Sequence, residues 1–127
     1  LTDFQMLEFL AVHDDCRCCA CGDPVQTAVD VQTLGQALLI HLTRFDDRGR
    51  KMTKDAGFPR ELIVGSARYA FAAIVEHQGR TKREGHYVAH VQSRELLCCN
   101  DAKVTETTWE RIASRQAYVL AYVRVDH

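Results

Sequence analysis

The sequence predicts an α+β fold, a mostly antiparallel sheet with short flanking helices. Strand-like segments succeed one another over residues 68–124, and helical spacing appears only near the two ends. The 127 residues suffice for one domain with a core and are too few for two ordinary ones. No internal repeat or low-complexity tract breaks the pattern.

The elements follow in chain order. "TDFQMLEFL" sets Thr2 three residues before Gln5, a capping-box spacing, and places Phe4, Leu7 and Leu10 on one helical face. After a cysteine-rich knot, "VQTAVDVQT" alternates with Val25, Thr27, Val29 and Val31 on one side, as a half-buried strand does. "ALLIHLTRF" is a second, more apolar strand. "DDRGRKMTKD" reads as a charged loop around Gly49, and "FPREL" breaks at Pro59. "RYAFAAIVEH", "HYVAHV" and "ELLCC" are strand-like, with the polar loop "QGRTKREG" between the first two. "TTWERIAS" is a short helix with Thr107 and Glu110 at capping-box spacing. "AYVLAYVRV" closes the chain as a strand. Strands 68–77, 86–91, 95–99 and 116–124 are expected to form one contiguous sheet, since each has an apolar face to bury.

Sixteen basic residues against seventeen acidic ones leave a formal charge of −1, so nothing favours nucleic acid or a membrane surface as partner. No run approaches the roughly 18 to 20 apolar residues of a bilayer span, and no basic-then-apolar signal opens the chain. The expectation is a soluble, intracellular protein of the cytoplasm or nucleus. Beginning at Leu1 without methionine, the chain is expected to be a piece of something longer. The six cysteines crowd into "CRCCAC" (Cys16, Cys18, Cys19, Cys21) and Cys98–Cys99, which suits free thiols or a metal site in a reducing compartment.

His86 is the candidate for chemistry. A strand histidine is ordinarily a packed imidazole, but three features of "GHYVAHV" argue otherwise. Gly85 before it lets a bound chain approach the backbone closely. His86, Val88 and His90 share a face, with His86 at the end of the row. If 86–91 and 95–99 form a hairpin, Asn100 or Asp101 comes to the imidazole, and a general base needs such a group to fix its tautomer.

Six blocks in order, "ALLIHLTRF", "FPREL", "RYAFAAIVEHQG", "GHYVAHV", "CCNDAKVTE" and "QAYVLAYVRV", resemble the ubiquitin-specific proteases over about Leu1 to Val125. That family shows an I-H-L-x-R-F strand, an F-P-x-x-L step, a Y-x-L-x-A-V-I-x-H-x-G strand, G-H-Y, a D/N-D-x-x-V turn and a closing A-Y-x-L-x-Y. The resemblance implies the C-terminal part of a papain-like cysteine peptidase that cleaves after the C-terminal glycine of ubiquitin, with ubiquitin or ubiquitinated proteins as partners. By position His86 matches the family's general base and Asn100 the group that holds its imidazole. Asp101 matches a neighbouring acid that supports the site or substitutes for Asn100.

Nothing in the chain matches the family's nucleophile box, G-N-T-C-Y-x-N. Cys98 and Cys99 sit on the strand of Asn100 and are poorly placed to replace it. The expectation over residues 1–127 is therefore a catalytic-domain portion with base and orienter but no nucleophile. The alternative is an inactive remnant of the fold that binds ubiquitin or another partner. Cys18, Cys21 and Gly22 match a C-x-x-C-G knuckle that in the family gives half of a four-cysteine zinc site. Two thiolates do not make a structural site, so no bound cofactor is expected and free or remnant thiols are. His13, Cys16 and Cys19 lie too close in sequence to complete a tetrahedron readily. A zinc-knuckle nucleic-acid module would rest on "CRCCAC" alone, without a basic face. His41, Arg44 and Trp109 read as packing residues, and Arg80, Lys82 and Arg83 as a solvated loop.

Overall fold

The computed structural model describes residues 10–17, 19–28, 32–45, 48–51, 57–81 and 83–126. Among the described residues, nine strands and one helix run in the order β1 (Leu10–Arg17), β2 (Pro24–Ala28), β3 (Ala37–His41), β4 (Glu61–Val64), β5 (Ala67–Gln78), β6 (His86–Gln92), β7 (Leu96–Asn100), β8 (Lys103–Glu106), α1 (Trp109–Ala113) and β9 (Ala117–Arg124). All their pairings are antiparallel. β1 and β2 form a ribbon of their own, and the rest form a seven-stranded sheet in the order β3-β9-β5-β6-β7-β8, with β4 on β5. The four segments expected to share a sheet do so.

Several boundaries differ from the sequence reading. The helix expected at the N-terminus lies outside the described residues except for Leu10, which opens β1. β1 itself has no alternation to announce it and is defined by its partner, from Leu10↔Ala28 to Arg17↔Pro24. The alternation from Val25 is strand only through Ala28, and Val29–Val31 lie outside the described residues. β3 stops at His41, although Leu42 still donates its N–H to the Tyr118 carbonyl of β9 at 2.9 Å; the Arg44 guanidinium then donates Nε–H to the Ala117 carbonyl at 2.9 Å. Two short strands carried no signal. β4 follows Pro59 directly, and β8, "KVTE", is exposed at every position. The α1 cap is one residue later than expected. Thr108, not Thr107, accepts from Arg111 N, while Thr107 N donates to the Leu96 carbonyl and is spent on β7.

β5 is the long central strand, and a bulge between Phe71 and Ala73 splits its alternation. Ala67, Tyr69 and Phe71 are buried; after the bulge it is Ile74 and Glu76 that turn to the same side. The core gathers there. Phe58, Leu62, Tyr69, Phe71, Ile74, Ile112, Leu120 and Tyr122 are almost fully buried, with Trp109 packed edge-on to Phe58 and Phe71. The "FPREL" step and α1 thus cover one half of one sheet face. Tyr122 locks the step in place by donating its hydroxyl to the Pro59 carbonyl at 2.8 Å.

On the opposite face His77 is 3% exposed inside an aromatic cage. Its ring centroid lies 5.3 Å from Phe45, 5.0 Å from Tyr87 and 6.4 Å from Tyr118. Neither ring nitrogen has a hydrogen-bond partner among the described residues. Lys51 donates its ammonium to the His77 carbonyl. Burial, and next the Lys51 charge, hold the imidazole below its ordinary pKa. The folded chain therefore prefers neutral His77, whereas the unfolded chain takes up a proton near pH 6.5. The resulting stability is complete above about pH 6.5 and is lost as pH falls through the lower folded value. A thermal melt series from about pH 7.5 to 5 should accordingly show a shallower decline for His77→Gln than for the parent chain. Parallel declines would mean that His77 titrates alike in both states.

Candidate functional site

His86 opens β6, Asn100 ends β7 and Asp101 makes the turn into β8. The β6–β7 register, His90↔Cys98 and Ala89↔Cys99, continues to place Asn100 opposite Val88, on the face shared by His86, Val88 and His90. Asn100 is then the diagonal neighbour of His86, a spacing that two side chains can bridge. They do so: His86 Nε2 lies 2.6 Å from Asn100 Oδ1. A carboxamide oxygen only accepts, so Nε2 carries the hydrogen and Nδ1 keeps its lone pair. That is the tautomer of a base, and the ring is 41% exposed, open to a reactant.

Asp101 Oδ2 stands 3.8 Å from the same nitrogen, but its side chain is 80% exposed, where screening leaves such a pair little strength. Its backbone has φ 52, the left-handed conformation that Asp and Asn tolerate better than most residues. Asp101 therefore has a turn role besides any role at the imidazole. The three residues singled out from sequence are brought together.

The reason for Gly85 differs from the one expected. The close approach is made by the chain itself: a Cβ there would meet His77 Cε1 at 2.6 Å and the Gln78 carbonyl at 2.7 Å. Gly79, at φ +144, likewise leaves no room, with Gly85 Cα 2.7 Å from where its Cβ would be. Two glycines thus meet over the His77 ring at the base of the β5–β6 loop, and that packing sets where β6 and His86 begin.

A second cluster escaped the sequence reading. Glu76 and His90 are 4% and 3% exposed, with His90 Nε2 at 3.1 Å from Glu76 Oε2. Gln78 Nε2 donates to Glu76 Oε1 at 2.5 Å, and Arg115 Nε lies 3.7 Å from Oε2. Burial pushes the Glu76 carboxyl up, but the hydrogen bonds from His90 and Gln78 and the charges of His90 and Arg115 outweigh it, and the net lies below the ordinary value. The available signal was a charge set in the apolar run "AAIVEH", with a histidine at matching parity in "HYVAHV".

No cysteine of the sheet serves His86. Cys98 pairs with His90, four residues along β6, so it sits roughly 13 Å from His86. Cys99 points to the other face. Cys19 and Cys21 are exposed and reduced, and Cys18 lies outside the described residues. Among the described residues no three metal-ligating side chains converge, and no helix is long and apolar enough to cross a membrane.

Sheet and helix together have the architecture of a papain-like cysteine peptidase fold. The family profile described as ubiquitin carboxyl-terminal hydrolase matches residues 8–122, and the chain belongs to that family. Human ubiquitin carboxyl-terminal hydrolase 17 is 30% identical over 121 residues, covering 86% of this chain and 23% of its own length. Human ubiquitin carboxyl-terminal hydrolase 17-like protein 5 is 29% identical over 140 residues, covering 94% of this chain and 26% of its own. The chain thus spans about a quarter of the length of these curated relatives. Among solved structures, a Ubp8 SAGA DUB module bound to monoubiquitin superposes with a TM-score of 0.74 at 26% identity, over 92% of this chain and 30% of that one. An essential yeast splicing factor shares the fold at a TM-score of 0.65 and 18% identity, over 73% of this chain and 26% of that one.

Gly85→Ala tests the packing that precedes His86. With ring and carbonyl in the way, the substitution should cost about 1–3 kcal/mol of stability and loosen the His86–Asn100 contact. Thermal denaturation together with ring-nitrogen NMR of His86 reads both. An unchanged melting temperature and an unchanged imidazole would show that the hairpin accommodates a methyl group.

Proposed function

We propose that this chain supplies the general-base side of a deubiquitinating cysteine peptidase, with His86 as base, Asn100 as its orienting group and Asp101 as a supporting acid. The observation that carries this is the 2.6 Å contact of His86 Nε2 with Asn100 Oδ1, which leaves Nδ1 as proton acceptor. A thiol is a weak nucleophile until a neighbouring imidazole takes its proton. Here Nδ1 accepts that proton, and the thiolate attacks the carbonyl carbon of the scissile bond. The imidazolium returns the proton to the departing amine, and Nδ1 next deprotonates the water that hydrolyses the thioester. Asn100 keeps the ring turned throughout by accepting from Nε2–H.

The nucleophile and its oxyanion donors come from outside this chain, since Cys98 and Cys99 lie beyond reach of His86. Ubiquitin, free or attached to proteins, is the proposed partner; a family relative bound to monoubiquitin and another Ubp8 module bound to ubiquitin aldehyde support it. We place the protein inside the cell, in cytoplasm or nucleus, where thiols such as those of Cys98 and Cys99 stay reduced.

Alone, the chain should not hydrolyse a ubiquitin C-terminal ester or amide reporter above background. Lacking nucleophile and oxyanion donors, it forgoes most of an acceleration that enzymes typically hold at about 10⁶-fold or more. Added in trans or fused upstream, a family N-terminal segment bearing the nucleophile box should restore turnover, and His86→Ala should abolish it. Hydrolysis by the isolated chain that disappears in Cys98→Ser or Cys99→Ser would sink this assignment. A docked but silent pair that still retains ubiquitin would favour the inactive binding remnant.

Cys18 and Cys21 are proposed as a knuckle that is one half of a four-cysteine zinc site or as free thiols, without a resident metal. The purified chain should carry clearly less than one tightly held zinc, because two thiolates leave half the tetrahedron unfilled. Stoichiometric zinc that survives mild chelation would point to a local four-ligand site instead.

A further inference from the structure

We propose that Glu76 is a positioning residue of the His86 site: one carboxylate oxygen holds Gln78 beside His86, and the other fastens β5 to β6 through His90. The inference rests on the reading of His86 as general base and adds residues which that reading leaves unused.

The register carries it. Gln78 is directly opposite His86 in the β5–β6 ladder, and Glu76 is opposite Val88. Residues so paired have Cβ atoms about 5 Å apart. Gln78 is itself exposed at the strand end, where a free side chain would sample several rotamers. The 2.5 Å bond to Glu76 Oε1 removes that freedom. The other oxygen takes the His90 Nε2–H, two steps along the His86 face, and lies near Arg115 just after α1. His86 is therefore flanked by two side-chain amides, Asn100 from β7 in contact with its ring and Gln78 from β5 held by Glu76. The bond to Glu76 uses one Nε2–H of Gln78 and leaves the other, with its carbonyl oxygen, for the backbone of a scissile segment reaching His86.

Packing alone does not call for a carboxylate here. Ile74 and Val88 neighbour Glu76 on the same face, and both are essentially fully buried. An apolar pair of similar volume would fill the space without removing a charge from water. A buried carboxylate persists only with its oxygens engaged, and each oxygen of Glu76 is. One engagement, with His90, lies on the strand that begins with His86, and the other, with Gln78, is on the residue paired with His86 across the ladder.

Three variants test the proposal: Gln78→Ala, Glu76→Gln and the double change Glu76→Leu with His90→Leu. On this chain alone, ring-nitrogen NMR should show His86 losing its pure Nε2–H tautomer in both Glu76 variants, and the Gln78 amide moving to a solvent-averaged shift. The double change should keep the melting temperature, which separates positioning from stability. In the pair completed with a nucleophile-bearing segment, Gln78→Ala and Glu76→Gln should lower kcat on the order of tenfold with little change in KM. Parent-like His86 spectra in both Glu76 variants, or parent-like kcat in Gln78→Ala and Glu76→Gln, would overturn it. If the parent pair itself fails to turn over, the peptidase reading fails, and the spectra of the isolated chain still decide the role of Glu76.

Discussion

The β5 strand, paired on both sides and bulged once, is the constraint on which the remaining structure depends. β9 and β6 both take their register from it, and β7 and β8 follow from β6. A strand with strict alternation would bury Phe71 on one face and Ile74 on the other. The bulge reunites them, so that the aromatic core near α1 and the polar row near His86 lie on one surface. Two neighbourhoods with opposed chemistry are then built by the same few residues, Phe71 and Ile74 for the core and Glu76 and Gln78 for the site. The extra backbone residue costs one unpaired ladder position and sets the orientation of everything after it.

The loop after β5 imposes a second limit. A side chain at Gly79 is excluded by Gly85 and one at Gly85 by the His77 ring, which is itself confined by Phe45, Tyr87 and Tyr118. Hence the residue before His86 is chosen by packing beneath the loop. The cage also reaches across to the loop ending at Lys51, whose backbone N–H bonds the Arg80 carbonyl and whose ammonium caps His77. Loop, cage and strand start pack as one unit around the buried His77.

Much of this was legible from the residues. Parity alone placed His86, Val88 and His90 on one face, and the hairpin inference brought Asn100 or Asp101 to His86. What failed to show has physical causes. β4 and β8 are short strands that exist because β5 and β7 offer them edges; "KVTE" buries nothing and so leaves no hydrophobic trace. β1 depends on β2 in the same way. The Thr107/Thr108 choice was settled by a tertiary bond to Leu96 that no local spacing encodes. Glu76 stayed hidden because a lone charge in an apolar run looks like a strand end until its partners, 14 residues on at His90 and 39 on at Arg115, are seen together.

The two groups that meet at 2.6 Å are separated by 14 residues, within a single hairpin. Closing so short a loop is among the quickest and entropically mildest steps a chain can take. Imidazole and carboxamide therefore belong to one cooperative unit, gained and lost together, and their alignment does not wait for distant parts of the chain to arrive. Contacts of long sequence separation, such as Arg44 with Ala117 or Tyr122 with Pro59, close far larger loops. The hairpin that joins His86 to Asn100 is thus the part of the site that local chain entropy favours most.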